Sequence, residues 1–464
     1  MRAHEAGALH AEVGSRGPAW LRTPEDVNDL LPQLWPRTVT RDGDGVLTVG
    51  GRGVGDLAAE FGTPVYVLDE ADFRARCREF AEGFADAELF YAGKAFICKA
   101  IVRMLAEEGL SLDVCSGGEL AVALAAGMPP ERIGLHGNNK SLDELERAVA
   151  AGVGRIVVDS FQEIDRLTAL ARRFQRTPKV MIRVTVGVEA HTHEYIATAH
   201  EDQKFGFSLA GGAAMLAAQR VLDEGVLELR GLHSHIGSQI FDTDAFEVAA
   251  KRVLGLQAAI RDRYRVELPE LDLGGGFGIA YTSQDDPRPP AELADSLRRI
   301  VKEDCDALGL TVPRLSFEPG RAIVGPAMFT LYEVGTVKDV DGIRTYVSVD
   351  GGMSDNIRTA LYDATYTCAL ANRASTAKAK LARIVGKHCE SGDIVVRDTW
   401  LPADVQPGDL IAVAATGAYC RSMASNYNHV PRPPVVSVRD GTATVLVRRE
   451  TEDDLLRLDA GYQR

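Results

Sequence analysis

No stretch of this chain approaches the roughly 20 consecutive apolar residues that a membrane-spanning helix requires, so no membrane partner is expected. The N-terminal segment, MRAHEAGALHAEVGSRGPAW, holds no uninterrupted apolar run of the kind a secretory signal carries. Basic residues are in deficit: 52 Lys and Arg stand against 66 Asp and Glu, and the formal net charge of −14 argues against the basic patch that a nucleic-acid surface needs. Cysteine is scarce and unpatterned. The seven residues (Cys77, Cys98, Cys115, Cys305, Cys368, Cys389 and Cys420) are odd in number and scattered, with no CxxC pair and no zinc spacing. Reduced thiols, a cytoplasmic location and no metal are the expectation. No internal repeat stands out.

What is present is an ordinary globular composition, 45% hydrophobic and 25% charged, in a chain of 464 residues, long enough for two domains with a large core. Residues 1–52 read as an N-terminal arm rich in proline, glycine and charge, with one short helix near 24–31. A helix begins at 53–60, PVYVLDE is a strand at 64–70, and 72–84 is an amphipathic helix. A rhythm follows. Apolar strand-like runs fall at 88–92, 110–114, 132–135, 155–158, 179–185, 229–235, 269–273 and 314–318. Helical periodicity fills the intervals at 95–108, 117–127, 141–152, 161–174, 209–224, 244–264 and 291–308. Continuous apolar strands suit a parallel sheet covered on both faces, and eight such units predict a (β/α)8 barrel over 53–325. The long connection at 186–208 has the length of a functional loop or lid. From 326 to 464 the segments MFTLYEVGTV, RTYVSVDG, ATYTCAL, DIVVRDTW, DLIAVAA, PVVSVRDG and TATVLVRRE predict an antiparallel all-β domain, a small barrel or sandwich. The strand at 64–70 precedes the barrel rhythm and is a candidate to join that domain.

In such a barrel the active site lies at the C-terminal ends of the strands. Polar residues gather there while the strand bodies stay apolar. The first strand ends in Lys94. Asp113 ends the second, His136 follows the third and the fifth carries Arg183. The sixth gives His233, His235 and Ser238, the seventh Asp272 and Gly274–Gly276, and the eighth Glu318, Pro319, Gly320 and Arg321. Lys94 alone has two readings. It is either a salt-bridged or snorkelling lysine, or an amine whose desolvation at a buried strand end makes it nucleophilic. Three glycines after a strand let backbone N–H groups close on an anion, at the usual phosphate end of the barrel, although a glycine run is also often only a turn. Glu318 could be a base, a metal ligand or the partner of a heterocycle nitrogen. Arg321 suits a substrate carboxylate, or else pairs with Glu318 internally. His233 and His235 share a strand face; as a metal pair they lack an evident third ligand, and stacking on a flat cofactor fits better. In the β domain, Cys389 and Glu390 sit in the polar turn HCESGD and suggest proton transfer. Arg358 and Tyr362 fall four residues apart, and Tyr419 lies in ATGAYC.

Together the motifs YAGKA, EDQKFGFS, HSHIGSQ, LDLGGGFG, EPGR, DGGMSDNIRTALY, GKHCESGD and ATGAYC resemble those of the fold-type III decarboxylases that depend on pyridoxal 5′-phosphate (PLP), over about 55–460. The resemblance implies an alanine-racemase-like barrel with a C-terminal β domain, acting as a homodimer with active sites shared across the interface. It implies that Lys94 is the Schiff-base lysine and that His235 stacks on the PLP ring. Ser238, Gly274, Gly275, Gly276 and the segment Glu318, Pro319, Gly320 and Arg321 would hold the cofactor, with Glu318 on the pyridine nitrogen. Arg321, Arg358, Tyr362 and Glu390 would bind substrate, Tyr419 would touch both, and Cys389 would donate the proton. The two arginines and Glu390 suit a substrate with a distal carboxylate and a distal ammonium. The expected reaction is decarboxylation of meso-2,6-diaminopimelate to L-lysine. Ornithine, arginine or carboxynorspermidine decarboxylation, a non-catalytic PLP-binding regulator and a PLP-free phosphate-binding isomerase are the alternatives.

Overall fold

The computed structural model describes residues 17–187, 203–341 and 343–461. The chain forms two compact units. One contains Arg74–Ile279 and Pro287–Ile323; the other contains the described part of Met1–Phe73, Ala280–Asp286 and Val324–Arg464.

The first unit is the barrel. Its strands are Glu88–Ala92, Ser111–Val114, Ile133–Leu135, Arg155–Val158, Lys179–Thr185, Glu228–His233, Glu270–Asp272 and Arg314–Phe317. Each pairs in parallel with the next, Arg155–Val158 joins Lys179–Thr185, and the eighth pairs back to the first through Ser316↔Glu88, which closes the ring. The strand bodies are buried almost throughout, as continuous apolar runs require. Helices 117–126, 142–151, 161–174, 244–264 and 290–308 match the periodicity. The helix expected from 95 begins at Lys99 instead. The phenol of Tyr91 donates to the Phe96 carbonyl and holds the chain after Lys94 in a turn.

Three consecutive barrel helices start alike. Ser116, Ser141 and Ser160 cap them by accepting from the N–H of Glu119, Glu144 and Glu163. Each glutamate then turns back. Glu119 accepts from Cys115 N–H, Glu144 from Gly117 N–H, and Glu163 from Asp159 N–H. Glu163 also pairs with Lys140, which donates to the Gly137 and Val157 carbonyls. These caps pin the loops after strands two to four, at the end of the barrel where the polar residues gather.

The second unit is a sheet in the order Ile394–Pro402, Ala379–Val385, Arg344–Val349, Met328–Val340, Val65–Asp69, Val435–Arg439, Thr442–Val447. Val65–Asp69 lies here, antiparallel to Met328–Val340 and parallel to Val435–Arg439. The sheet is therefore mixed rather than wholly antiparallel, and Arg344–Val349 also runs parallel to Ala379–Val385. That last strand has no counterpart in the sequence reading because charged residues break its apolar run. Its Arg383 is nonetheless buried and donates to the Arg397 carbonyl. The stretch 24–31 forms turns and no helix. The arm instead contributes three short strands, Thr40–Arg41, Leu47–Val49 and Arg52–Gly53. Leu34, Trp35, Leu47 and Val49 pack there with Val65, Phe329, Ala412 and Val436. Most of the connection at 186–208 lies outside the described residues. No helix among the described residues is long and apolar enough to cross a membrane.

Candidate active site

The strand ends of the barrel surround a cavity of about 160 Å³, lined by Lys94, Asp113, His136, Arg183, Phe205, His233, His235 and Glu318 among others. Lys94 stands in the turn after the first strand. Ala95 N–H donates to the Ala92 carbonyl, and Gly93 N–H to the Asp113 carbonyl. This turn lifts the lysine clear of the strand's buried face, so Lys94 is exposed and is not the desolvated amine that one of its two readings required. The EPGR turn closes on the same strand end: Ala92 N–H donates to the Pro319 carbonyl, and a Cβ at Gly320 would sit 2.9 Å from the Ala92 oxygen.

Glu318 is buried and takes its partners from histidine, not from Arg321. His233 Nε2 lies 2.8 Å from Glu318 Oε1 and His136 Nε2 3.5 Å from the same oxygen. His136 Nε2 also meets Asp113 Oδ1 at 3.0 Å, and the two imidazoles pack edge to face at 5.1 Å. Burial pushes Glu318 up, but the neighbouring His136, His233 and His235 outweigh it and hold the carboxyl well below the usual range. Asp113 goes the other way: burial first, then the Glu318 charge, push it well above its ordinary value. Burial lowers His136 to about 4, and burial with the nearby Lys94 lowers His235 well below its usual value. Within one buried cluster the two carboxyls are thus pushed in opposite directions. No third ligand joins the His233–His235 pair among the described residues; the ligating atoms that lie within 4.8 Å of one another are those of His136, His233 and Glu318. Their direct hydrogen bonding accounts for that spacing without an ion.

The glycine run is less open to an anion than its sequence suggests. Gly274 N–H donates to Asp272 Oδ1 at 2.7 Å and Gly275 N–H to His235 Nδ1 at 3.2 Å. A Cβ at Gly275 would stand 2.1 Å from the Glu318 carbonyl oxygen, so only glycine lets the two turns touch. Nearby, Arg321 Nη2 donates to Ser238 Oγ at 2.9 Å. Beneath the turn, Asp272 Oδ2 accepts from Ser316 Oγ at 2.8 Å and pairs with Arg155, whose guanidinium stacks 3.6 Å above the Phe90 ring. Arg155 went unnoticed in the sequence because it opens its strand; a charge inside a parallel strand was the available signal. Phe205, 4.4 Å beneath the Arg183 guanidinium, was also missed.

The remaining residues lie in the second unit. Arg358 opens a short helix, Arg358–Tyr362, and its Nη1 donates to the phenols of Tyr281 and Tyr366, each at 2.8 Å. Its guanidinium lies 6.0 Å from the Tyr362 ring and 5.9 Å from the Tyr419 ring. Tyr281, Tyr366 and Cys420, whose thiol is 3.6 Å from the Tyr366 hydroxyl, are members of this cluster that the motifs did not single out. Tyr419 has a left-handed backbone, φ 62°. Cys389 and Glu390 occupy a separate turn. Cys389 is exposed, its N–H donates to Asn428 Oδ1, and the preceding His388 is held by Ser354 and Asn428.

Residues 70–325 match the family model described as the pyridoxal binding domain of pyridoxal-dependent decarboxylases. The chain belongs to the pyridoxal-dependent decarboxylase family. Within it, the chain is similar to diaminopimelate decarboxylases. It is 58% identical to that of Mycobacterium leprae, over 99% of this chain and 100% of the relative. It is 59% identical to that of Mycobacterium tuberculosis, over 93% and 100% respectively. The crystal structure of diaminopimelate decarboxylase from M. jannaschii in co-complex with L-lysine superposes with a TM-score of 0.86 at 31% identity, covering 92% of this chain and 99% of that one.

Proposed function

We propose that this chain decarboxylates meso-2,6-diaminopimelate to L-lysine and CO2 with PLP as cofactor. The observation that carries the reading is the joint presence, in one barrel cavity, of the Lys94 amine, the His235 imidazole and the Glu318 carboxyl, in a chain this similar to diaminopimelate decarboxylases. The donor set fits PLP: an accessible primary amine for its aldehyde carbon, a flat ring for its face and a carboxylate for its ring N–H. Arg321, Ser238 and Gly276 are suited to its phosphate. When bound, PLP supplies an electron sink for the charge left at the α carbon after CO2 departs.

The chain's own residues do the rest. Lys94 anchors the cofactor and releases product. Glu318 keeps a proton on the ring nitrogen, which favours decarboxylation; an arginine in its place would weaken the sink, as in related racemases. Arg321, Arg358 and Tyr362 bind the substrate carboxylates, Glu390 its distal ammonium, and Tyr419 contacts cofactor and substrate. Cys389 protonates the α carbon. Exposure of the Cys389 thiol supports a homodimer in which Cys389 and Glu390 serve the partner subunit's site. The seven scattered cysteines, with no disulfide or zinc spacing, support a cytoplasmic location.

The test is a substrate panel. The purified protein should release CO2 from meso-diaminopimelate and form L-lysine, with Lys94→Ala losing both turnover and the visible absorption of bound PLP. A preference for ornithine or arginine would overturn the substrate assignment.

A further inference from the structure

Glu318 is the residue assigned above to the cofactor's ring nitrogen, and among the described residues no arginine or lysine hydrogen-bonds to it. We propose that His233, backed by His136, is the positioning residue that orients Glu318, by engaging Oε1 and leaving Oε2 to accept from the ring nitrogen of PLP. This rests on the reading that Glu318 is the ring-nitrogen partner.

Four observations support it. First, His233 and His136 both approach the same carboxylate oxygen, at 2.8 and 3.5 Å, and no described residue donates to Oε2. Second, the hydrogen bond is buried: His233 is 0% and Glu318 7% exposed. A buried carboxylate without donors would be costly, so the contact decides how the group sits. Third, the partners assign the tautomer. A carboxylate only accepts, so the proton sits on Nε2, while His233 Nδ1 is buried with no partner among the described residues. Fourth, His136 sits against both the His233 ring and Asp113, so the orientation is braced from the second and third strands. His233 ends the sixth strand and Glu318 follows the eighth, so the relay spans the barrel interior rather than a mobile loop.

The experiment compares His233→Leu, His233→Gln and Glu318→Gln in the full-length PLP-loaded protein. It reads the visible band of bound PLP, the PLP dissociation constant and Tm. His233→Leu should weaken PLP by at least about tenfold, the cost of leaving a buried carboxylate short of a donor. It should also move the band in the direction that Glu318→Gln moves it. His233→Gln, which returns an N–H donor, should recover both. If Glu318→Gln moves band and affinity but His233→Leu does not, the positioning role is wrong and the Glu318 reading stands. If Glu318→Gln itself changes neither, the Glu318 reading has failed and the proposal falls with it. Loss in His233→Leu that merely follows Tm, without recovery in His233→Gln, makes the role structural and overturns the proposal. So does loss of the wild-type band on dialysis against EDTA, which would make the cluster a metal site.

Discussion

At His136 burial and the charge of Glu318 act against each other, and the outcome is readable in stability. Burial lowers this imidazole from 6.5 to about 4. Unfolded chains take up the proton below about pH 6.5, whereas the folded chain refuses it until about pH 4. The unfolded state therefore binds more protons in that window, and stability falls as the pH drops through it. His136→Asn should flatten the decline of Tm between these two pH values; an unchanged slope would show that another group sets it. Arg155 makes a second residue-scale case. Its partner Asp272 is fully buried, so Arg155→Met leaves a carboxylate uncompensated and should cost about 3–5 kcal/mol in urea unfolding. A loss below 1 kcal/mol would mean that Ser316 and Gly274 satisfy Asp272 unaided. Of these residues the sequence offered His136, Asp113 and Asp272, each of which stands at or just past a strand end where polar groups are conspicuous. It hid Arg155, Tyr281 and Tyr366, whose partners come from distant segments: 281, 358 and 366 meet only in the folded chain.

Elements were legible in proportion to how apolar and how long they are. The eight barrel strands stood out because both faces are covered; the Ser-x-x-Glu starts of three helices, a signal the periodicity did not draw on, coincide with the observed caps. Ala379–Val385 was obscured by Arg383, a buried cation satisfied by a backbone carbonyl rather than by its own sequence neighbours. The strands between 40 and 53 were missed for another reason: each spans two or three residues, too few for a period of two to register. The turn at 274–276 was legible as glycine but not as a shape. Its N–H groups face Asp272 and His235, which only the closed barrel supplies. Gly275→Ala should accordingly abolish PLP binding while adding a methyl 2.1 Å from the Glu318 carbonyl; retained affinity by absorption titration would show that the EPGR turn can yield.

The whole molecule is less sequential than its reading. Boundaries at 52 and 325 follow the rhythm of the chain, but the compact units interleave, with Val65–Asp69 and Ala280–Asp286 joined to the C-terminal sheet. Pairing partners more than 250 residues apart leave no local trace in composition, so the sequence offered this strand to either domain. At this scale the proposed shared site has its own test. Co-expression of Lys94→Ala and Cys389→Ala subunits, each inactive alone, should restore about a quarter of wild-type turnover through mixed dimers with one intact site. No recovery, with mixed dimers confirmed, would place Cys389 and Lys94 of one site on the same subunit.

Asp272 carries a consequence for anyone altering this enzyme. Its one carboxylate joins Arg155 and Ser316 across the barrel and also shapes the glycine turn through Gly274. Fold stability and the shape of the glycine turn therefore share a determinant and will not evolve independently in the barrel interior. Stabilising changes sought in a directed-evolution campaign are safest on the outer helices, where a gain in half-life carries no trade-off against holoenzyme yield.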